Sequence, residues 1–417
     1  MSVTAAERKY LRDLARRYLD LSRSPVMAER EKLWYAHNEL RGPRPMVIIE
    51  LGGFTPELMP ASQCESDLAR EIEWNLLAPI VNYEKVGDDK VISPYYAVGW
   101  QIHLREFDHD FQYRHGEDAK GRTLGFQVEH PIKDLERDLP TLKHSVFRVD
   151  REATMSNRDA VAEVLGDILP VRVENFSLCW HAAPSGKACL LMGMEDMLVA
   201  MAKRPDAVRA LYDFLTDDIL SFMQWLEREE LLTLNNGNHY TGAGSYGFTT
   251  ELPKGAGSPA RLTDLWLNMN SQETVGVSPA MFADLVFPSY REIARRAGLV
   301  YYGCCEPVHT IWLDCLSRIP NLRKVSVSAW CDEDRIGEFL RGSRVIYSRK
   351  PSPNYLGVGS FDEQAFAAHI EKTLRAAKGC RLEFIFRDIY TMDGDVSKLA
   401  KAVKIVRRLI DQVWLNP

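Results

Sequence analysis

The sequence has no apolar run approaching the roughly 20 residues that a membrane span needs. Its first residues, Met1-Ser-Val-Thr-Ala-Ala-Glu-Arg-Lys, lead into a charged helix rather than an apolar signal core. No membrane partner is expected, and the cytoplasm is the default location. Cysteine is sparse: eight in 417 residues are too few for a disulfide scaffold. The adjacent pair Cys304-Cys305 is badly placed to bridge to itself, so reduced thiols are expected. No C-x-x-C pair occurs, which removes the usual mark of a zinc ribbon. No dense Lys/Arg block with interleaved aromatics is present, and the net charge is −6. Nucleic acid is therefore not an expected partner. No G-x-G-x-x-G or G-x-x-x-x-G-K-[ST] follows an early strand, so the phosphate cradle of a doubly wound open sheet is missing.

What is there is an ordinary globular composition, 46% hydrophobic and 26% charged, enough for a sizeable core. The chain is organised around Leu299-Val-Tyr-Tyr-Gly-Cys-Cys-Glu-Pro-Val-His309: a short buried strand, a turn at Gly303, a polar loop and a helix start at Pro307. That is a βα unit. Upstream, Tyr10, Leu11, Leu14, Tyr18 and Leu19 lie at helical spacing and predict one amphipathic helix needing a body to pack on. Trp34, His37 and Asn38 are read as helix-face packing, Met46 to Leu51 as strand-like, and residues 89–104 as a hairpin or edge strands. The polar 105–122 segment is read as a solvated loop, with His109 and His115 in it.

From about residue 174 a rhythm begins. Strands are expected near 176–182, 231–235, 264–269, 299–304, 322–329, 343–349 and 380–387, with amphipathic helices between several of them. Adding one strand from upstream gives about eight, the number that closes a parallel barrel. The expected fold is an α/β (β/α)8 TIM barrel over 145–417, with an N-terminal helical and β-hairpin extension, 1–144, packed on it.

In such a barrel the residues following the strands converge on one mouth. They include His239 and Tyr240, Gln272, Cys304, Cys305 and Glu306, Trp330, Lys350, and Arg387 with Asp388. The run Gly242–Pro253 is glycine-rich, with Tyr246 and Phe248 as its apolar residues; it reads as a mobile cover or as a long surface connection. Thiolate, imidazole and carboxylate donors suit a borderline-soft cation such as zinc, with Cys304, Cys305, Glu306, His239 and Cys380 as candidate ligands. The bland alternative makes one thiol of the pair a core residue and puts Cys380, at the start of a strand, at the far end of the barrel.

Tyr301-Tyr-Gly-Cys-Cys-Glu-Pro307, Ile319-Pro-Asn-Leu-Arg-Lys-Val-Ser-Val-Ser-Ala-Trp-Cys-Asp332, Lys350-Pro-Ser-Pro353 and Arg387-Asp-Ile-Tyr-Thr391 resemble the uroporphyrinogen decarboxylase superfamily. Within it they are similar to the branch related to zinc- and cobalamin-dependent methyltransferases, best over about 145–413. The resemblance implies a (β/α)8 barrel. The decarboxylase's N-terminal arginine-rich substrate motif has no counterpart, so uroporphyrinogen is not the expected substrate. In the methyltransferases, zinc is held by an H-x-C motif and a distant Cys. Cys304 matches the motif's thiol, Tyr302 stands in the histidine's place with Glu306 or His239 as its substitute, and Cys380 falls at the third ligand's distance.

Three functions compete on this reading. The first is methyl transfer between a small methylated compound and a corrinoid on a separate protein, because no D-x-H-x-x-G corrinoid module is present. The second is a decarboxylase or related lyase, with Arg387 and Lys350 holding a carboxylate and Asp388 or His239 handling the proton. The third is a non-catalytic ligand-binding barrel. The site expected from the first two has Glu306, His239 and Asp388 as catalytic residues and Trp330, Tyr240, Tyr246, Gln272, Lys350 and Arg387 as substrate-binding residues. Its metal ligands are Cys304, Cys305 and Cys380.

Overall fold

The computed structural model describes residues 3–117, 123–175, 178, 180–253 and 259–415. The parallel strands in chain order are β1 (Met46–Ile49), β2 (Tyr96–Gly99), β3 (Val171–Glu174), β4 (Trp266–Met269), β5 (Leu299–Tyr302), β6 (Leu322–Val327), β7 (Ile346–Arg349) and β8 (Arg381–Phe386). Six form one parallel sheet in the order β1-β8-β7-β6-β5-β4, and β2 pairs with β3 in a separate parallel pair. The chain is therefore a mixed α/β protein. The expected boundary at residue 144 does not separate sheet from extension, because β1 lies upstream of it and pairs with β8 from Met46↔Glu383 to Ile49↔Phe386.

Most strands of the main sheet are buried throughout, as expected for a parallel sheet covered on both sides. Side chains alternate between the faces. Leu267, Met269, Val300, Tyr302, Val325, Val327, Tyr347, Phe384 and Phe386 join the main hydrophobic core. Helices Pro205–Arg228, Glu363–Ala376 and Ser397–Leu409 present their own apolar stripes to that core. The opposite face carries two small apolar clusters around Met46, Ile48 and Ile385, and around Trp266 and Tyr301. Between them sit polar side chains that are almost fully buried: Lys324, Ser326, Ser348 and Glu383.

Helix α1 (Ala5–Ser22) starts on a capping box at Thr4 and buries Leu11, Leu14, Ala15 and Tyr18. Arg8 pairs with Glu163 of the helix Arg151–Leu165, and Arg12 with Asp167 in the turn just after it. Helix α2 (Pro25–Asn38) covers the polar face of the sheet. There Trp34 packs with Phe248, Met46, Ile48 and Ile385, His37 Nε2 lies 3.1 Å from Glu383, and Asn38 donates to the carbonyls of Tyr246 and Phe248.

The glycine-rich run is neither a mobile cover nor a surface connection. Tyr240–Gly242 and Ser245–Tyr246 form a tight hairpin pressed onto the polar face, with Ala243, Ser245, Phe248 and Thr249 buried. Gly242 and Gly244 both have positive φ; a Cβ on Gly244 would lie 2.2 Å from Ile385 Cγ2. Glycine is needed there because the hairpin backbone lies directly against the sheet.

Three local expectations differ from the structure. Residues 231–235 form no regular strand; instead the Asn235 amide pairs with both backbone groups of Trp266, at 2.8 and 2.9 Å, along the edge of β4. Of 176–182, residues 176, 177 and 179 lie outside the described residues, and the others form a turn after β3. Residues 89–104 take the edge-strand alternative rather than the hairpin, which is no departure: β2 pairs with β3, while Gln101–Arg105 pairs antiparallel with Val146–Asp150. The polar segment, expected as a solvated loop, carries a strand, Tyr113–Glu117, that pairs antiparallel with Thr123–Val128. At the other edge of the main sheet Asp88 and Asp89 accept the N–H groups of Ile49 and Val47 at 2.8 Å each. Carboxylates thus take the place of a neighbouring strand. Among the described residues no helix is long and apolar enough to cross a membrane.

Candidate active site

A cleft of about 460 Å³ opens where β5, β6, β7 and β8 end, lined by Gln272, Cys304, Cys305, Ser328, Trp330, Lys350, Arg387 and Asp388, together with Trp180 and Tyr390. Gly303, with φ of +101°, turns the chain out of β5. The Cys304 carbonyl accepts the Ser326 hydroxyl at 2.7 Å. The two sulfurs stand 3.5 Å apart, Cys304 buried and Cys305 exposed. Donation from the Cys304 thiol pulls Cys305 below the ordinary thiol range, against the desolvation of its partly covered sulfur. The same contact, with burial, pushes Cys304 well up. Cys305 is therefore the more acidic thiol of the pair, and the thiolate is the nucleophilic form.

Arg387 lies on the floor beside them. Burial opposes its charge, but Glu50, Cys304 and Asp388 outweigh burial and hold the guanidinium firmly protonated. Its Nε is 3.2 Å from Glu50 and 3.3 Å from Asp388, and its Nη1 makes no hydrogen bond within the protein. Lys350 Nζ donates to Ser348 Oγ at 2.6 Å and to the Tyr301 hydroxyl. Ser348 in turn donates to Glu383 Oε1 at 2.5 Å. Glu383 also takes Ser245 at 2.9 Å and Lys324 at 3.3 Å. Two buried lysines thus share one carboxylate. Burial raises Glu383, but Lys324, His37 and Lys350 more than offset it and keep the carboxyl ionised. Lys350, the surplus cation, is pulled down by burial to about 7.

Of the residues expected from the sequence, the cleft brings together Cys304, Cys305, Gln272, Trp330, Lys350, Arg387 and Asp388. Glu306 does not face it. The Glu306 carboxylate is buried and accepts the N–H of Ser271 at 2.8 Å and of Cys304 at 2.9 Å, which makes it a brace for the thiol loop. Burial raises its carboxyl despite these donors. His239 lines a separate cavity of about 360 Å³ with Asn235 and Asn238, its Nε2 3.3 Å from Glu174. Tyr240 and Tyr246 line a third cavity, against Ile48 and Glu50. Tyr240 reaches the site indirectly, donating to Glu50 at 2.6 Å.

Cys380 precedes β8, whereas the thiol pair follows β5, so in a parallel sheet they lie at opposite ends. Its thiol donates to the Gly337 carbonyl at 3.3 Å. Tyr302, in the histidine's place, points away into the main core and pairs with Ser271 at 2.5 Å. Among the described residues no group of three or more His, Cys, Asp or Glu side chains stands together to share a metal. These donors do not fit the three-ligand zinc site that the resemblance implies.

Sequence reasoning did not single out Trp180, Tyr390, Glu50 or the buried Ser348–Glu383 link. Tyr390 follows Asp388 by two residues on the loop after β8, so the strand-end rule could have found it. Glu50 carries the same signal after β1. Glu383 has none, because a charged residue inside a strand gives no hint of its partners.

Fold and site define an α/β protein with a thiol- and guanidinium-bearing cleft at the C-terminal ends of a parallel sheet. No family model matches the chain, and no curated protein matches it. Among solved structures it is similar to a methyltransferase from Methanosarcina mazei, with 15% identity and a TM-score of 0.50, over 91% of this chain and 98% of that one. At that identity the likeness is one of fold.

Proposed function

We propose that the chain is a methyltransferase that moves a methyl group between a small methylated compound and a corrinoid carried by a separate protein. The observation that carries this reading is the exposed thiol of Cys305, activated by Cys304 at 3.5 Å, in a cleft whose floor is Arg387 and Lys350. The fold likeness to a methyltransferase and the resemblance read from the sequence support it. The corrinoid, when its carrier docks, supplies a cobalt centre that accepts or returns the methyl group. Cys305 does this chain's part of the chemistry. Its thiolate attacks the methyl carbon in line, a sulfur–carbon bond forms, and the bond to the donor heteroatom breaks with its electron pair leaving on that atom; onward transfer of the methyl group would return the sulfur–carbon electron pair to Cys305 as thiolate. Arg387 and Lys350 orient the donor by an anionic group, and Asp388 lies beside the thiol. Because the zinc donors are not assembled, activation here rests on the Cys304 hydrogen bond and on Arg387.

A closed (β/α)8 barrel is part of the same reading. The Asn235 clamp on β4, the bond from Asn175 N to Thr233 Oγ1 at 3.1 Å and the Asp88/Asp89 clamp on β1 support a ring in which side chains bridge the gaps beside the β2–β3 pair.

A second reading, a carboxy-lyase, is favoured by one observation. Arg387 and a lysine held near neutrality line one cleft, an arrangement that grips and discharges a carboxylate. Incubating the full chain with methylcobalamin and mapping its peptides separates the two. Methyl transfer predicts a methyl group on Cys305 and on no other described cysteine, whereas an unmodified Cys305 under these conditions favours the lyase.

A further inference from the structure

The cleft is polarised from floor to rim. Its cations are deep: the side chains of Arg387 and Lys350 are 11% and 5% exposed. Its rim is aromatic and acidic: Trp180, Trp330 and Tyr390 are 42%, 67% and 76% exposed, and the Asp388 side chain is 41% exposed. Large aromatic side chains left this open around a cavity are uncommon on a surface with no use for them. A buried guanidinium with an unused Nη1 calls for an acceptor. An aromatic rim with a carboxylate attracts a soft, poorly hydrated cation through the negative faces of the rings. An anion alone would leave the rim unmatched, and a cation alone would be repelled by the floor.

We propose that the ligand of this cleft is a small zwitterion, a methylated onium carboxylate such as a betaine or a sulfonium acid. Its carboxylate meets Arg387 and Lys350, and its onium methyls lie among Trp330, Tyr390 and Asp388. This deepens the methyl-transfer reading and rests on it for the reaction, though not for the binding. The pose brings an onium methyl to the exposed Cys305. Attack by the thiolate forms the sulfur–carbon bond and returns the electron pair of the broken bond to nitrogen or sulfur. The leaving group departs as a neutral amine or thioether, charge is conserved, and no proton is needed. A volume of about 460 Å³ is in the range of small-ligand sites.

The test is calorimetric binding to the full chain of glycine betaine, dimethylsulfonioacetate, and 3,3-dimethylbutanoate, the uncharged-head isostere of betaine. The two zwitterions are expected to bind, and the isostere to bind about tenfold more weakly, the worth of a cation–π contact at a partly desolvated site. Trp330→Leu should lower betaine affinity several-fold while leaving the isostere nearly unchanged, and Arg387→Gln should weaken all three. Equal affinity for betaine and its isostere, or no binding of either zwitterion, overturns the proposal. Zwitterion binding without methylation of Cys305 would keep this ligand class and remove the methyl-transfer reading. Methyl transfer from an uncharged donor without zwitterion binding would do the reverse.

Discussion

The carboxylate of Glu306 accepts the backbone N–H of Cys304 at 2.9 Å. A residue that looked catalytic beside two thiols is instead the brace that holds their loop, and it binds Ser271 N at 2.8 Å in the same way. Glu306→Ala would leave both N–H groups buried without an acceptor, a loss of about 2–5 kcal/mol for the two. Urea unfolding measures it. A variant as stable as the wild type would return Glu306 to the list of groups available to the cleft.

Lys350 gives a pH test with a defined sign. Its folded-state value of about 7 lies below the ordinary lysine value of about 10.4, so between those limits the unfolded chain holds the extra proton. The cost of burying the charged lysine is therefore full below about pH 7 and fades as pH rises toward 10. Lys350→Met should raise the melting temperature more at about pH 6 than at about pH 10. The same ionisation should weaken binding of a carboxylate ligand as pH rises through 7. An unchanged difference between the two pH values would show that the lysine keeps its charge throughout.

Glu383 changes stability in the same direction with pH but in acid, and there the charged form is the stabilising one. Lys324, His37 and Lys350 hold its carboxyl below the ordinary range against burial. Its contribution is present above the unfolded-state value, about 4.3, and is lost as pH falls below that. Glu383→Gln strands the buried Lys324 and should cost about 3–5 kcal/mol at neutral pH. It should also flatten the acid limb of the stability curve. A double change of Lys324 to Met and Glu383 to Leu should recover much of the loss; if Glu383→Gln melts like the wild type, the buried network carries no weight in the fold.

Alkylation tests the thiol assignment without a substrate. Among the described cysteines, Cys305 is exposed and is the one lowered by its neighbour, while burial raises Cys64, Cys315, Cys331 and Cys380. Brief iodoacetamide treatment of the native chain should label Cys305 first. Preferential labelling of Cys304 would reverse the roles of the pair.

Much of the site was legible because strand ends can be read from sequence. Val300 to Tyr302 is short and apolar, so Gly303-Cys304-Cys305 had to be the loop after it, and the same logic put Trp330, Lys350 and Arg387 in one cleft. It failed where side chains rather than strands decide position. His239 was expected at the mouth but stands just before a hairpin laid against the sheet, and nothing in a glycine-rich run says whether it is exposed or pressed onto Ile385. Cys380 was placed by its distance along the chain. Its position before β8 argued for the far end of the sheet, and the structure agrees with that simpler reading. The polar face escaped notice because Lys324 and Glu383 sit within strands, where a charged residue ordinarily marks the solvent side.

The most direct test of the central claim is the rate of methyl transfer from glycine betaine to cob(I)alamin by the wild type, Cys305→Ser and Arg387→Gln, followed by the visible absorbance of the corrinoid. Turnover by the wild type and its loss in Cys305→Ser are expected, with those two proteins melting alike. Arg387→Gln should fall at least tenfold, about the worth of one charge-assisted hydrogen bond. Wild-type turnover that survives in Cys305→Ser would contradict that claim.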